Sequence, residues 1–266
     1  MEGPLMRNQK VTFSFGKNWK SFLSSLNELQ VQDSIQDVLK WLDIVEIKEK
    51  RVLDIGSGSG LHSLSFYKLG VKEITSFDFD SASVEATRYL WRKQGKPISW
   101  QIFQGSILDE EFLSKLDTYD IVYAWGVLHH TGHMWKAIKN AAHLVDESGY
   151  LWISIYVKGP NYPKYLNLKK KYNASTIFGK KMMVYLMILR KIFYLVINHQ
   201  NPFKWNKREI RGMDSYHDIL DWLGGLPYEV ASASEIIEFC KKLGFKLIKL
   251  EKAPEGGCNV FLFKKP

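Results

Sequence analysis

A chain of 266 residues with 45% hydrophobic and 14% aromatic residues can bury a large core, which excludes an intrinsically disordered protein. Its two cysteines, Cys240 and Cys258, have no metal-ligand spacing around them, which argues against a disulfide framework and a zinc site and for a reducing cytoplasm. The formal charge of +9 is unevenly placed: residues 158–213 hold ten Lys and three Arg against the single acid Glu209, or +12, so the remainder carries −3.

Met1 to Lys10 has charges and no apolar run of signal-peptide length, so a cytoplasmic location is expected. Residues 1–45 are expected to form an N-terminal helical cap. The next run, Val52-Leu53-Asp54-Ile55, is apolar around one acid, and Gly56, Gly58 and Gly60 follow at alternate positions. A buried parallel strand explains the run. The glycines explain a tight turn in which a ligand could lie against bare backbone N–H groups, although a turn with no ligand has the same composition. The dinucleotide fingerprint G-x-G-x-x-G fails at its last position, which is Leu61. The stretch Asp54 to Gly60 instead resembles the first motif of class I S-adenosylmethionine-dependent methyltransferases, an acid followed by G-x-G-x-G.

An amphipathic segment, His62 to Leu69, leads to a second strand, Ile74 to Phe77, ending on Asp78. Asp78 lies 22 residues beyond Gly56, close to the spacing at which a carboxylate meets a ribose diol in either cofactor class. Asp80 directly precedes the helical pattern Ser81 to Arg92 and suits its N-cap. A third strand, Ile98 to Phe103, runs into Gly105-Ser106-Ile107. The resembling family often has Gly-Asp there, so Ser106 departs from it and leaves adenine to a hydroxyl and to backbone at Ile107. The fourth strand, Tyr119 to Trp125, precedes Gly126-Val127-Leu128-His129-His130-Thr131, which is similar to the V-L-H-H element of many small-molecule methyltransferases. A fifth strand, Gly149 to Val157, completes an alternation of strands and helices that indicates a doubly wound sheet.

The basic insertion 158–213 contains Met182 to Asn198, apolar except for Arg190-Lys191. Its two apolar runs are too short to span a bilayer and the central charges interrupt a single span. A lid helix, a dimer or membrane-surface contact, and part of a nucleic-acid surface remain open. The last is least favoured because no RNA-binding module is present. After it, Ser232 and Glu235 form a capping-box pattern, and Phe245 to Leu250 with Val260 to Phe263 read as a closing antiparallel pair.

Phe13 to Trp19, Arg211 to Asp218 and Asp221 to Pro227 resemble elements of a bacterial methyltransferase subgroup linked to capsule or surface-polysaccharide modification. The resemblance implies a Rossmann-like α/β fold with a mostly parallel seven-stranded sheet, helices on both faces and a helical lid after the fifth strand. On this reading residues 1–157 and 214–266 form the cofactor domain and 158–213 the lid. S-adenosyl-L-methionine would be held by Trp19, Asp54, Gly56, Ser57, Gly58, Asp78, Phe79, Ser106, Ile107 and Trp125, with no metal. A sugar hydroxyl needs a base, and histidine suits that near neutral pH. Adjacent His129 and His130 would diverge by about 100° on a helix start, so one reaches the acceptor, and His130 is favoured slightly. His217, beside Asp214 and Asp218, is a further candidate, with Tyr156 and Arg211 on the acceptor side.

The function implied is O-methylation of a small anionic or sugar-containing metabolite, including a phosphoryl or phosphoramidate-type group. A quinone- or lipid-intermediate methyltransferase at the membrane, an NAD-dependent oxidoreductase and a non-catalytic scaffold are the alternatives.

Overall fold

The computed structural model describes residues 15–206 and 214–266. Seven strands form one sheet: β1 (Arg51–Ile55), β2 (Glu73–Asp78), β3 (Trp100–Gln104), β4 (Tyr119–Trp125), β5 (Val145–Tyr156), β6 (Lys246–Glu251) and β7 (Cys258–Lys264). Their spatial order is β3-β2-β1-β4-β5-β7-β6. The four pairings from β3 to β5 are parallel, whereas β7 runs antiparallel to both β5 and β6. The sheet is therefore mixed rather than simply mostly parallel, because a strand inserted between β5 and β6 by a short connection must reverse direction.

The helices are α1 (Phe15–Ser25), α2 (Glu28–Trp41), α3 (Ile44–Ile47), α4 (Leu61–Lys68), α5 (Ser81–Lys93), α6 (Glu110–Leu113), α7 (Met134–His143), α8 (Tyr162–Ala174), α9 (Ile177–Ile197), α10 (Ser215–Gly224) and α11 (Ala233–Lys242). Asp80 caps α5 as expected and also accepts from the Gly16 amide at 2.8 Å, which ties α1 to the sheet domain. Ser232 and Glu235 complete their capping box on α11. The starts of β3 and β5 differ from expectation for identifiable reasons. Pro97 begins a turn closed by the Trp100 amide, so Ile98 stays exposed and β3 starts later. β5 starts at Val145 because that residue pairs with Tyr119 ahead of a register shift.

Each sheet face has its own core. One packs Leu53, Val122 and Ile153 against α7 and α11, through residues such as Ile138 and Ile236. The other packs Val52, Tyr123 and Trp152 against α2, α4 and α5. Trp152 is fully buried among Trp41, Phe66 and Tyr123, a burial contributing on the order of 2–3 kcal/mol. Tyr172, Val184, Ile188, Ile219 and Leu223 form a separate cluster that joins α8, α9 and α10. Successive strands are added to one side of β1 up to β3 and to the other from β4, and the crevice beyond the carboxyl ends of β1 and β4 is where α/β sheets take ligands.

Candidate active site

Two adjoining cavities occupy that crevice. The larger, about 260 Å³, is lined by Gly56 and Gly58 from the β1 turn, Asp78 and Phe79 from the end of β2, Ser106 and Ile107, then Trp125 and His130 beyond β4. The smaller, about 60 Å³, lies beneath Asp54 and Ser57, and Trp19, Gly56, Gly58 and Trp125 border both. All ten residues that the sequence assigns to the cofactor line one cavity or the other.

The glycine turn works differently from the bare-amide cradle expected of it. The amides of Gly56 and Ser57 donate to Phe77 O at 2.8 and 3.1 Å, that of Gly58 to Asp78 Oδ2 at 3.0 Å, and that of Gly60 to Ser57 O at 2.7 Å. With these donors spent, the turn offers a smooth concave wall and not an anion nest. Glycine is required at Gly56 and Gly58 because φ is +69° and +55° there. A Cβ would also lie 2.4 Å from Val127 at the first position and 3.0 Å from the Trp19 indole nitrogen at the second.

Below the turn, Ser63 Oγ donates to Asp54 Oδ2 at 2.5 Å and meets Ser76 Oγ at 2.8 Å, which in turn receives the Trp100 indole N–H. Burial, with repulsion from Asp78, pushes the Asp54 carboxyl up to about 7 despite the Ser63 bond. Burial likewise raises Asp78 to about 6. Two carboxyls so disposed favour a ligand bearing positive charge. Exposed Phe79 offers a flat apolar face at the other end, and Ser106 Oγ already accepts the Leu108 amide at 3.1 Å. A glycine-lined wall, a strand-tip acid, a buried acid and an aromatic rim fit S-adenosylmethionine, which Asp54 would meet at the methionine end, Asp78 at the ribose, and Phe79 with Ser106 and Ile107 at adenine.

The histidines separate in space. Leu128–His130 form one turn of 3-10 helix, and His130 alone of the pair lines the larger cavity. Its Nδ1 lies 2.6 Å from Pro227 O; since a carbonyl only accepts, Nδ1 carries the proton and Nε2 holds the lone pair. Burial and then the Lys169 charge lower its pKa to about 3, so the ring is neutral at physiological pH. His129 is fully buried, lines neither of these two cavities, and packs on Tyr156 at 4.2 Å between ring centroids; neither of its ring nitrogens has a partner of normal hydrogen-bond geometry. It is a packing residue and not a base.

Tyr156 is also behind the wall, packed edge-on or tilted among His129, His130 and Tyr228, so it supports His130 rather than lining the cavity. His217 sits elsewhere. Its Nδ1 pairs with Asp214 Oδ2 at 2.7 Å as expected, but it lines a more open third cavity with Trp205 and Tyr216. The two residues His217 and Asp221 share a face of α10, and the rise of one turn along the helix axis brings Asp221, not His217, to the cavity that His130 lines. Arg211 lies outside the described residues.

Two groups that the sequence did not single out belong here. Asp221 of α10 brings a carboxylate to the cavity that holds His130. Lys169 of α8 is fully buried, donates to Trp222 O, and stands 4.5, 4.7 and 5.3 Å from the ring centroids of Trp222, Tyr228 and Tyr156. Its burial lowers its pKa to about 7. No residue of α9 lines any of these cavities.

The fold and this site define a methyltransferase. Residues 26–250 match the methyltransferase domain family, and the chain belongs to it, within the S-adenosylmethionine-dependent class. A 120-residue stretch is 28% identical to ribosomal protein L11 methyltransferase of Staphylococcus aureus (strain MRSA252), covering 45% of this chain and 36% of that protein. A 50-residue stretch is 40% identical to the Shewanella baltica (strain OS185) protein of the same description, covering 19% and 17%. The chain thus spans about a third or less of the length of these curated relatives. Among solved structures, magnesium protoporphyrin IX methyltransferase of Synechocystis PCC 6803 with bound SAH superposes with a TM-score of 0.57 at 15% identity, over 94% of both chains. The putative methyltransferase in complex with the Haloferax volcanii Trm112 activator gives 0.57 at 10% identity, over 97% and 98%. These two likenesses establish the fold.

Proposed function

We propose that this protein transfers the methyl group of S-adenosylmethionine to an oxygen of a small anionic or sugar-containing acceptor, in capsule or surface-polysaccharide biosynthesis. The observation that carries the reading is His130 at the cavity wall, its tautomer set by Pro227 so that Nε2 is the acceptor nitrogen. When bound, S-adenosylmethionine supplies an electrophilic methyl on a sulfonium, and the chain's task is to align the acceptor and exclude water. His130 Nε2 accepts the hydroxyl proton of the acceptor as its oxygen becomes nucleophilic. Burial and, second to it, the Lys169 charge both oppose an imidazolium, so loss of the Lys169 proton lifts only the smaller of the two. Asp221 is placed to fix the acceptor's orientation through a hydroxyl or amine.

An anionic acceptor is supported by the +12 balance of residues 158–213, which this reading takes as the substrate-recognition insertion. A phosphorylated sugar, including a phosphoryl or phosphoramidate group, suits that field. The cytoplasm is the compartment this reading expects, and nucleic acid is not among its partners. Nicotinamide chemistry is not supported, because the turn amides that would hold a pyrophosphate are engaged by Phe77, Asp78 and Ser57. A second reading, a quinone or lipid-linked acceptor at a membrane surface, draws on the exposed apolar side of α9.

The test is a screen of phosphorylated and nucleotide-linked sugars with radiolabelled methyl donor. Label in a water-soluble acceptor, reduced in His130→Ala, is the expected result. Label only in quinone or lipid-linked acceptors would replace the first reading by the second.

A further inference from the structure

Helix α9 is apolar on two opposite sides. Inward, Val184 and Ile188 pack on Tyr172, Ile219 and Leu223. Outward, Phe178, Met182, Leu186, Leu189, Phe193 and Val196 recur at helical spacing, fall within one narrow arc, and are 46% to 74% exposed. Eighteen residues separate the first from the last, so the stripe is about 27 Å long. Lys181 and Arg190, both exposed, flank it on its two sides. Phe203 beyond the helix is 92% exposed.

An ordinary surface helix places charges on its outer side; this one places its cations at the margins of an apolar band. That pattern is the one that lies in a lipid interface, with the apolar arc among acyl chains and the basic margins at headgroups. Among the described residues no helix is long and apolar enough to cross a membrane.

We propose that the outer side of α9 docks on an anionic bilayer surface. Charge selects this occupant. Residues 158–206 contain nine Lys and one Arg and no Asp or Glu. A second copy docked through the same side would bring together the exposed Lys181 and Arg190 that flank each stripe, whereas acidic headgroups meet them with opposite charge. The stripe is remote from the cofactor cavities, to which α9 contributes nothing, so the inference does not depend on the acceptor's identity.

Sedimentation of the full chain with phosphatidylglycerol–phosphatidylcholine vesicles, against phosphatidylcholine vesicles alone, tests it. The expected result is binding to the anionic vesicles that falls about tenfold or more in Leu189→Glu/Phe193→Glu and weakens at high salt. Both sites are exposed, and S-adenosylhomocysteine affinity measured on the same samples checks that the variant is folded. Wild-type protein that binds S-adenosylhomocysteine yet stays in the supernatant with anionic vesicles overturns the proposal and leaves the methyltransferase reading intact. So does a wild-type dimer in sedimentation velocity that the double substitution converts to monomer, which would assign the stripe to a second copy.

Discussion

His130 Nδ1 and the carbonyl oxygen of Pro227 are 2.6 Å apart, a contact that joins the end of β4 to the loop after α10 across 97 residues of chain. The same loop donates the Glu229 amide to His129 O at 3.0 Å and offers the Glu229 carboxylate to the Met134 amide. The loop therefore fixes both the rotation and the tautomer of the candidate base.

Gly225 gives a precise handle on that arrangement. A Cβ there would stand 2.6 Å from His130 Cε1 and 3.0 Å from Nε2, so Gly225→Ala must displace the ring. Turnover in this variant is expected to fall toward that of His130→Ala, about a hundredfold or more below wild type, with S-adenosylhomocysteine affinity nearly unchanged. Steady-state kinetics with calorimetry checks this. Full turnover in Gly225→Ala would show that the imidazole position is immaterial.

Asp54 predicts a pH dependence of cofactor binding. Burial raises its carboxyl to about 7, and a ligand bearing an ammonium and a sulfonium binds the ionised form better. Affinity for S-adenosylmethionine should therefore rise with pH up to about 7 and then level off. Between about pH 8 and about pH 5.5 a loss of about tenfold or more is expected, with proton release on binding in calorimetry. Asp54→Asn should flatten the profile, and an unflattened profile would remove Asp54 from this role.

Lys169 predicts a pH dependence of stability. Its folded pKa is depressed to about 7 from an ordinary value of 10.5, so between those values the unfolded chain binds more protons. Stability is therefore lost as pH falls from about 10.5 to about 7 and levels off below, with a slope of at most about 1.4 kcal/mol per pH unit. Lys169→Met, of similar length and without charge, lacks this dependence. Urea unfolding at about pH 7 and about pH 9 should show wild type gaining on the variant at the higher pH; parallel changes would mean that the ammonium is not held in its aromatic surround.

Much of the cofactor crevice was legible in the sequence because its parts are local to strand ends. Asp54, Gly56, Gly58, Asp78 and Trp125 follow apolar runs whose length marks them as buried strands, and topology brings such ends to one edge. The acceptor side is different. Lys169 lies in a run of three lysines that reads as solvated, and only the fold shows it buried under Trp222, Tyr228 and Tyr156. Asp221 and His217 share one face of α10 a turn apart, and which of them meets the cavity depends on where α10 sits along its axis. His129 and His130 were separable in principle but not in identity, because their short turn is 3-10 and its rotation is set by Pro227 and Glu229. The glycines were read correctly as a turn, yet the amides' partners belong to β2 and could not be seen from the turn alone.

The central claim is that the crevice at Gly56 and Gly58 holds S-adenosylmethionine. Calorimetric titration of the full chain with S-adenosylhomocysteine, and separately with NAD, tests it most directly. The account predicts one S-adenosylhomocysteine site per chain, lost in Gly58→Val because the side chain meets the Trp19 indole at a backbone φ of +55°, and no heat with NAD. NAD binding without S-adenosylhomocysteine binding would contradict it.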